Sequence, residues 1–97
     1  MQMVEKTTQA DIEIQLDHVI ELAKEYGATR LILFGSAAEH LSSARDIDLA
    51  CDGVSGWAFY ELGARMEEKL QKPLDLVPLT PPSRFTRFIE EHGKVLI

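Results

Sequence analysis

Three short, largely apolar stretches decide the fold of this chain: LILF at residues 31–34, RDIDLAC at residues 45–51 and LDLVPL at residues 74–79. Apolar runs this short are typical of buried strands. Pro78 lies within the third run, and because proline cannot donate a hydrogen bond to a sheet, it indicates an edge strand or the end of the strand. The sequence therefore predicts three strands, and residues 94–97 are expected to form a last short strand or a docked tail.

Two amphipathic helices are predicted before and between these strands. Apolar residues recur at spacings of three and four over residues 11–26 and over residues 57–70, which places them on one helical face. Gly27 is suited to end the first helix, and Pro73 prevents continuation of the second.

Two further helices are predicted from residues that favour helix starts. Ser36 is a favoured N-cap, so residues 37–41 are expected to form one or two helical turns. Thr80-Pro81-Pro82 combines a capping hydroxyl with a proline at the first helical position, which predicts a last helix. The apolar stripe of that helix, which ends at Gly93, is expected to consist of Phe85, Phe88, Ile89 and His92.

The order of these elements indicates one α+β (or α/β) domain over residues 1–97, with a small mixed β-sheet packed against helices. Residues 1–10 are polar and are expected to be flexible. A chain of 97 residues, 45% of them hydrophobic, is long enough to bury a core of its own.

Composition excludes several classes of protein. The net charge of −6 argues against direct nucleic-acid binding, which needs a basic surface. The chain has no apolar run of the roughly 18 residues that a membrane helix needs, and its polar N-terminus is unlike a signal peptide. Cys51 is the only cysteine, so we expect a small buried hydrophobe in a reduced, cytoplasmic protein.

Asp46 and Asp48 are the first candidates for chemistry. Alternate side chains of a strand point to one face, so these two carboxylates are expected to project together while Ile47 enters the core. Like charges on one face repel each other, and a divalent cation such as Mg²⁺ relieves this repulsion. By itself the pair of aspartates is also consistent with a strand face that is exposed to solvent and binds no metal.

Two further features strengthen the interpretation as a metal site. Gly35 and Ser36 lie between a strand and a helix start, where glycine allows close approach of a phosphate and the backbone N–H groups are free. Asp75 lies among core residues of the third strand, so its carboxylate is expected on the opposite face. An ordinary helix cap and an exposed edge-strand aspartate remain the simpler alternatives.

Together these residues resemble a known family. FGS at residues 34–36, DIDL at residues 46–49 and LDL at residues 74–76 resemble the nucleotidyltransferases of the DNA polymerase beta superfamily. With the chain length and the ending GKVLI at residues 93–97, the sequence looks like the minimal nucleotidyltransferases, which are stand-alone catalytic domains.

The resemblance implies a DNA polymerase beta-like fold and a role for each matching residue. Asp46, Asp48 and Asp75 would be the catalytic residues and the ligands of two Mg²⁺ ions, and Asp75 would help to deprotonate the attacking hydroxyl. Gly35 and Ser36 would bind the phosphates of a nucleoside triphosphate, expected to be ATP.

The chain departs from the family pattern beside these residues. Glu39 and His40 stand where the family usually has an Arg-Gly pair, and a negative Glu39 is unfavourable near a triphosphate. Arg45 replaces a small polar residue and is expected either to contact the phosphates or to pair with Asp46.

The resemblance also implies a partner, a HEPN-domain toxin, to which an antitoxin of this kind transfers AMP from ATP. The protein is accordingly expected in a homo- or hetero-oligomer. An alternative is a catalytically weak or inactive protein that neutralises its partner by binding alone. A third alternative, a small-molecule modifier, is disfavoured because the chain is too short for an acceptor domain.

Overall fold

The computed structural model describes residues 8–97, which form four helices and four strands. In chain order these are α1 (Gln9–Glu25), β1 (Arg30–Phe34), α2 (Ser36–Glu39), β2 (Ile47–Asp52), α3 (Trp57–Leu70), β3 (Leu74–Pro78), α4 (Arg84–His92) and β4 (Lys94–Val95). Of the residues expected to be flexible, 1–7 lie outside the described part, while Gln9 and Ala10 begin α1. No helix within residues 8–97 has the length and apolar character that crossing a bilayer requires.

The four strands form one mixed sheet in the order β3-β2-β1-β4, which confirms the predicted fold class. β1 is antiparallel to both β2 and β4, whereas β2 and β3 are parallel. Pro78 therefore lies on an edge strand, as its presence in the sequence predicted. Both expectations for the C-terminus hold, because the N–H groups of Leu96 and Ile97 donate to the carbonyl of Leu31 beyond the end of β4.

The sheet buries apolar residues on both faces, which explains why its strands are nearly continuous apolar runs. The larger core lies on the face that α1 and α3 cover. Its strand residues, all at most 2% exposed, are Leu31, Leu33, Ile47, Leu49 and Cys51. On the opposite face, Ile32 and Ala50 pack with Ile89 of α4. The single short helix α4 covers only part of this second face.

Cys51 is 1% exposed, which confirms its prediction as a small buried hydrophobe. Burial and the neighbouring Asp52 carboxylate raise the pKa of its thiol to about 11. The thiol is therefore protonated at neutral pH.

The predicted starts of α2 and α4 were wrong. Ser36 is the first residue of α2, and Gly35 is its N-cap, without a capping side chain. α4 begins after Ser83, whose hydroxyl accepts from the N–H of Thr86 at 3.1 Å, while the hydroxyl of Thr86 accepts from the N–H of Ser83 at 2.8 Å. This reciprocal capping box places the helix start after Thr80-Pro81-Pro82.

The predicted apolar stripe of α4 was also partly wrong. Phe85 and Phe88 are 52% and 55% exposed, His92 is exposed as well, and Thr86 and Ile89 are the buried residues of the helix. The reason is that Ile89 is the α4 residue that enters the second core, whereas Phe85 meets the ring of Phe34 edge-to-face at the border of that core.

Candidate active site

Asp48 and Asp75 are neighbours on the face of the sheet that α4 partly covers. In the register of the parallel pair, Asp48 lies opposite Asp75, and across the antiparallel pair it lies opposite Phe34. Neighbouring strands are about 4.8 Å apart. The burial of Ile47 and Leu49 in the larger core directs the intervening Asp48 to the other face.

The third candidate carboxylate, that of Asp46, comes from a residue outside the sheet. β2 begins at Ile47, so Asp46 belongs to the preceding loop rather than to the predicted strand over residues 45–51. Burial, and then the charges of Asp46 and Asp75, raise the pKa of Asp48. The two neighbouring carboxylates are therefore close enough to disfavour a further negative charge at Asp48.

This donor set fits a hard divalent cation. Carboxylate oxygens are the ligands that Mg²⁺ prefers, and a cation would offset the repulsion that raises the pKa of Asp48. Within residues 8–97, no three His, Cys, Asp or Glu side chains are already assembled as a metal site. The carboxylates of Asp46 and Asp75 would therefore have to draw closer to Asp48 to share a cation.

Gly35 lies directly against Asp48. Its φ of 74° and ψ of −159° belong to a region that only glycine adopts readily. A Cβ atom at this position would overlap the carboxylate oxygen Oδ2 of Asp48. The backbone turn that begins α2 and the central carboxylate of the site therefore lie in contact.

A cleft of about 470 Å³ opens beside this contact. Phe34, Gly35, Ser36 and Glu39 line one side. The other side is formed by the last turn of α4 and the start of β4, and includes Phe88, His92 and Lys94. Lys94 brings an ammonium group to the cleft and His92 an imidazole, and local pattern predicted neither at the site, because the cleft forms only when α4 returns to β1.

Arg45 is placed in the loop beside Asp46, and its side chain is exposed. Among the ion pairs formed by residues 8–97, there is none between Arg45 and Asp46, so the predicted pairing of these two residues is not formed. Within the described part of the chain, no carboxylate pairs with the guanidinium group, which could therefore meet an anion.

A second cleft, of about 370 Å³, lies between α3 and the edge strand β3, where Asp75 is one of its lining residues. Phe59, Tyr60 and Gly63 of α3 line it together with Leu76 of β3. The exposed fractions of Trp57 and Tyr60 are 76% and 77%, which removes both aromatic side chains from the core. Asp75 therefore stands beside open space that could receive a second molecule.

Comparison with known proteins relates this geometry to solved structures, although no protein-family model and no curated protein matches the sequence. A toxin–antitoxin structure with AMP-PNP superimposes with a TM-score of 0.70 at 25% identity, covering 84% of this chain and 71% of that one. An MNT antitoxin in complex with a tri-AMPylated HEPN toxin, from Shewanella oneidensis, gives 0.68 at 24% identity over 88% and 71% of the two chains.

A candidate minimal nucleotidyltransferase superimposes with a TM-score of 0.73 at 23% identity, covering 87% of this chain and 91% of that one. The resemblance inferred from the three sequence motifs is thus confirmed at the level of structure. This chain has the α+β fold of the minimal nucleotidyltransferases.

Proposed function

We propose that this protein is a Mg²⁺-dependent nucleotidyltransferase that transfers AMP from ATP to a hydroxyl group of a HEPN-domain toxin, and so acts as its antitoxin. One observation carries the proposal: Asp48 lies between Asp75 on the neighbouring strand and Gly35 at the start of α2. In this proposal the metal ligands would therefore lie next to the phosphate site. Support also comes from neighbours with the same fold, one with AMP-PNP and one with an AMPylated toxin.

Each residue has a role in this proposal. Asp46, Asp48 and Asp75 would hold two Mg²⁺ ions, which would stabilise the charges on the entering and leaving oxygens. Gly35 and Ser36 would bind the β- and γ-phosphates. Asp75, which also borders the second cleft, would accept the proton of the attacking hydroxyl.

The reaction would be an in-line displacement at the α-phosphorus of ATP. A bond would form between the acceptor oxygen and the α-phosphorus, the bond to the bridging oxygen would break, and pyrophosphate would leave. The chain's own residues would contribute position and charge rather than covalent chemistry. We place the reaction in the cytoplasm, where ATP is available and the thiol of Cys51 stays reduced.

Glu39 favours a second candidate function, an antitoxin that binds its toxin without modifying it. Its carboxylate lines the 470 Å³ cleft beside Gly35 and Ser36, where it would repel a triphosphate. In that case the fold of the minimal nucleotidyltransferases would serve as a binding surface only.

The test is transfer of label to a purified HEPN-domain partner in the presence of Mg²⁺. ATP labelled at the α-phosphate should label the partner, whereas ATP labelled at the γ-phosphate should not. Asp48→Asn and Asp75→Asn should lower the rate by about 10²–10³-fold, since each removes a ligand of the cations that would stabilise charge at the reacting phosphate. Asp17→Asn, which removes an exposed carboxylate of α1, is the matched control.

The outcomes separate the candidates. Tight binding of the partner without label, unaffected by Asp48→Asn, would establish the binding-only antitoxin. Label from γ-labelled ATP would indicate phosphorylation and exclude AMP transfer.

A further inference from the structure

Asp46 differs from the other two candidate ligands in how it is held. Asp48 and Asp75 are fixed by the register of β2 and β3. Asp46 precedes β2, so no pairing between strands restrains it. Something outside the sheet must hold the loop that carries Asp46 if three carboxylates are to share a cation.

Lys72 contacts that loop through three backbone carbonyls. Its ammonium group donates to the carbonyl of Ala44 at 2.8 Å, to that of Ser42 at 3.2 Å and to that of Leu41 at 3.5 Å. An ammonium group has three N–H donors, so these contacts use all of them. The side chain is half-buried, and hydrogen bonds from a charged donor are stronger than neutral ones.

The position of Lys72 in the chain connects this contact to Asp75. Lys72 immediately precedes Pro73, whose carbonyl accepts from the N–H of Ile47 at 2.9 Å, and β3 follows directly. One short segment thus holds the loop before Asp46, pairs with the start of β2 and leads into Asp75. Within the loop, Ala44 is 8% exposed and donates to the carbonyl of His40 at 3.1 Å.

We propose that Lys72 is a positioning residue, whose ammonium group holds the loop over residues 41–44 and thereby keeps Asp46 within reach of a cation shared with Asp48 and Asp75. The inference rests on the proposed function only for the use of that cation in catalysis. The contact between Lys72 and the loop involves only atoms of this chain.

The first experiment measures hydrogen exchange of the backbone amides of residues 41–46 in metal-free protein. Lys72→Met should increase their exchange rates roughly tenfold or more, because it removes hydrogen bonds from a charged donor. Lys69→Met is the matched control, since Lys69 is an exposed lysine in the last turn of α3. It should leave the exchange of residues 41–46 unchanged.

The second experiment measures binding of Mn²⁺, used as the probe cation, to the wild type and both variants in the presence of AMP-PNP. Lys72→Met should weaken Mn²⁺ binding by roughly 10–100-fold, the range typical of groups that orient metal ligands. Where transfer is observed, the Mg²⁺ concentration for half-maximal rate should rise by a similar factor.

Chemical rescue distinguishes positioning from general damage to the fold. Lys72→Cys, alkylated with 2-bromoethylamine, restores an ammonium group on a chain of nearly the same length as lysine. Cys51 is buried with a thiol pKa raised to about 11, so the introduced thiol should react selectively in the folded protein. Alkylation should restore both slow exchange and Mn²⁺ binding.

Unchanged exchange at residues 41–46 in Lys72→Met would overturn the proposal whatever the enzymatic activity. So would faster exchange with unchanged Mn²⁺ affinity, because the loop would then not position a ligand. If Lys72→Met weakens Mn²⁺ binding but the wild type transfers no AMP, the role of Lys72 stands and the proposed transferase function fails.

Discussion

At the scale of single residues, the contact between Gly35 and Asp48 sets the geometry of the candidate site. The backbone angles of Gly35 exclude a side chain on conformational grounds, and the carboxylate of Asp48 excludes one by occupying the space. Gly56, the N-cap of α3, has nearly the same angles (φ 66°, ψ −151°), but a Cβ there would meet nothing within 4 Å. Substitution of Gly56 should therefore cause backbone strain alone, whereas substitution of Gly35 should cause the same strain and also a clash with Asp48.

Gly35→Ala and Gly56→Ala should each lower the free energy of unfolding by about 1–3 kcal/mol, because both place alanine in a region that glycine alone adopts readily. Only Gly35→Ala should also displace Asp48 and abolish the rise in melting temperature on adding Mg²⁺ and ATP. Urea unfolding and thermal melts with and without ligand measure the two effects. If both variants lost the rise in melting temperature to the same extent, the contact between Gly35 and Asp48 would not set the geometry of the ligand site.

The raised pKa of Asp48 predicts a pH dependence of stability. Because burial and the charges of Asp46 and Asp75 raise this pKa above its ordinary value of 3.8, the folded state keeps the proton to higher pH than the unfolded chain. Ionisation of Asp48 therefore lowers stability as the pH rises through the window above 3.8. At neutral pH the negative charge of Asp48 therefore makes the folded protein less stable than it would be with a neutral side chain at this position.

Asp48→Asn should accordingly melt at a higher temperature than the wild type at pH 7, and the gain should disappear below pH 3.8. The melting temperatures of both proteins across this range provide the measurement, with Asp17→Asn as the control. A gain that persists at low pH would show that removal of the charge is not its cause.

At the scale of elements, α4 is the helix whose packing decides the second face of the sheet. Ile89 is fully buried against Ile32 and Ala50, while the adjacent Phe88 is 55% exposed. Ile89 is thus the fully buried aliphatic side chain of this attachment, which the Phe34–Phe85 ring contact and the Arg30–Glu90 ion pair supplement. The helix also forms one wall of the 470 Å³ cleft, so its placement affects the candidate site.

Ile89→Ala should lower the free energy of unfolding by about 2–5 kcal/mol, as is typical when a buried isoleucine is truncated. Phe88→Ala removes more atoms but should lower it less, since more than half of that side chain is already in water. Urea unfolding of both variants tests the comparison. A larger loss in Phe88→Ala would contradict the placement of α4.

At the scale of the whole molecule, the net charge of −6 is partly concentrated at one end of the sheet, where Asp46, Asp48 and Asp75 lie. A ligand that binds only the folded state stabilises the whole domain, by about 2.7 kcal/mol at a concentration one hundred times its Kd. Binding at this one site should therefore be visible in global unfolding.

Mg²⁺ and ATP together should raise the melting temperature of the wild type, and Asp48→Asn should lose most of this rise. The same melts with NaCl at equal ionic strength distinguish binding from screening of the net charge. An equal rise in Asp48→Asn and in the wild type would place the ligand elsewhere on the molecule.

The local pattern of apolar and polar residues was sufficient to predict most of the helices and strands. The helix over residues 57–70 has the predicted bounds, and the burial of Ile47 and Cys51 follows from apolar alternation along β2. The helix starts near Ser36 and Thr80 were mispredicted because several residues in each segment can serve as a cap. The backbone turn at Gly35 and the reciprocal bonds of Ser83 and Thr86 decided between them.

The sequence by itself determined the approximate positions of β1, β2 and β3, the two long helices and the direction of Asp48 away from Ile47. Periodicity along a strand or helix depends only on neighbouring residues. Only the tertiary structure decided that Asp75 lies opposite Asp48 and that Lys72 holds the loop before Asp46. Both depend on β3 running parallel beside β2 after the intervening α3. Contacts between segments so far apart in the chain arise from packing of the whole domain, and local residue patterns do not specify them.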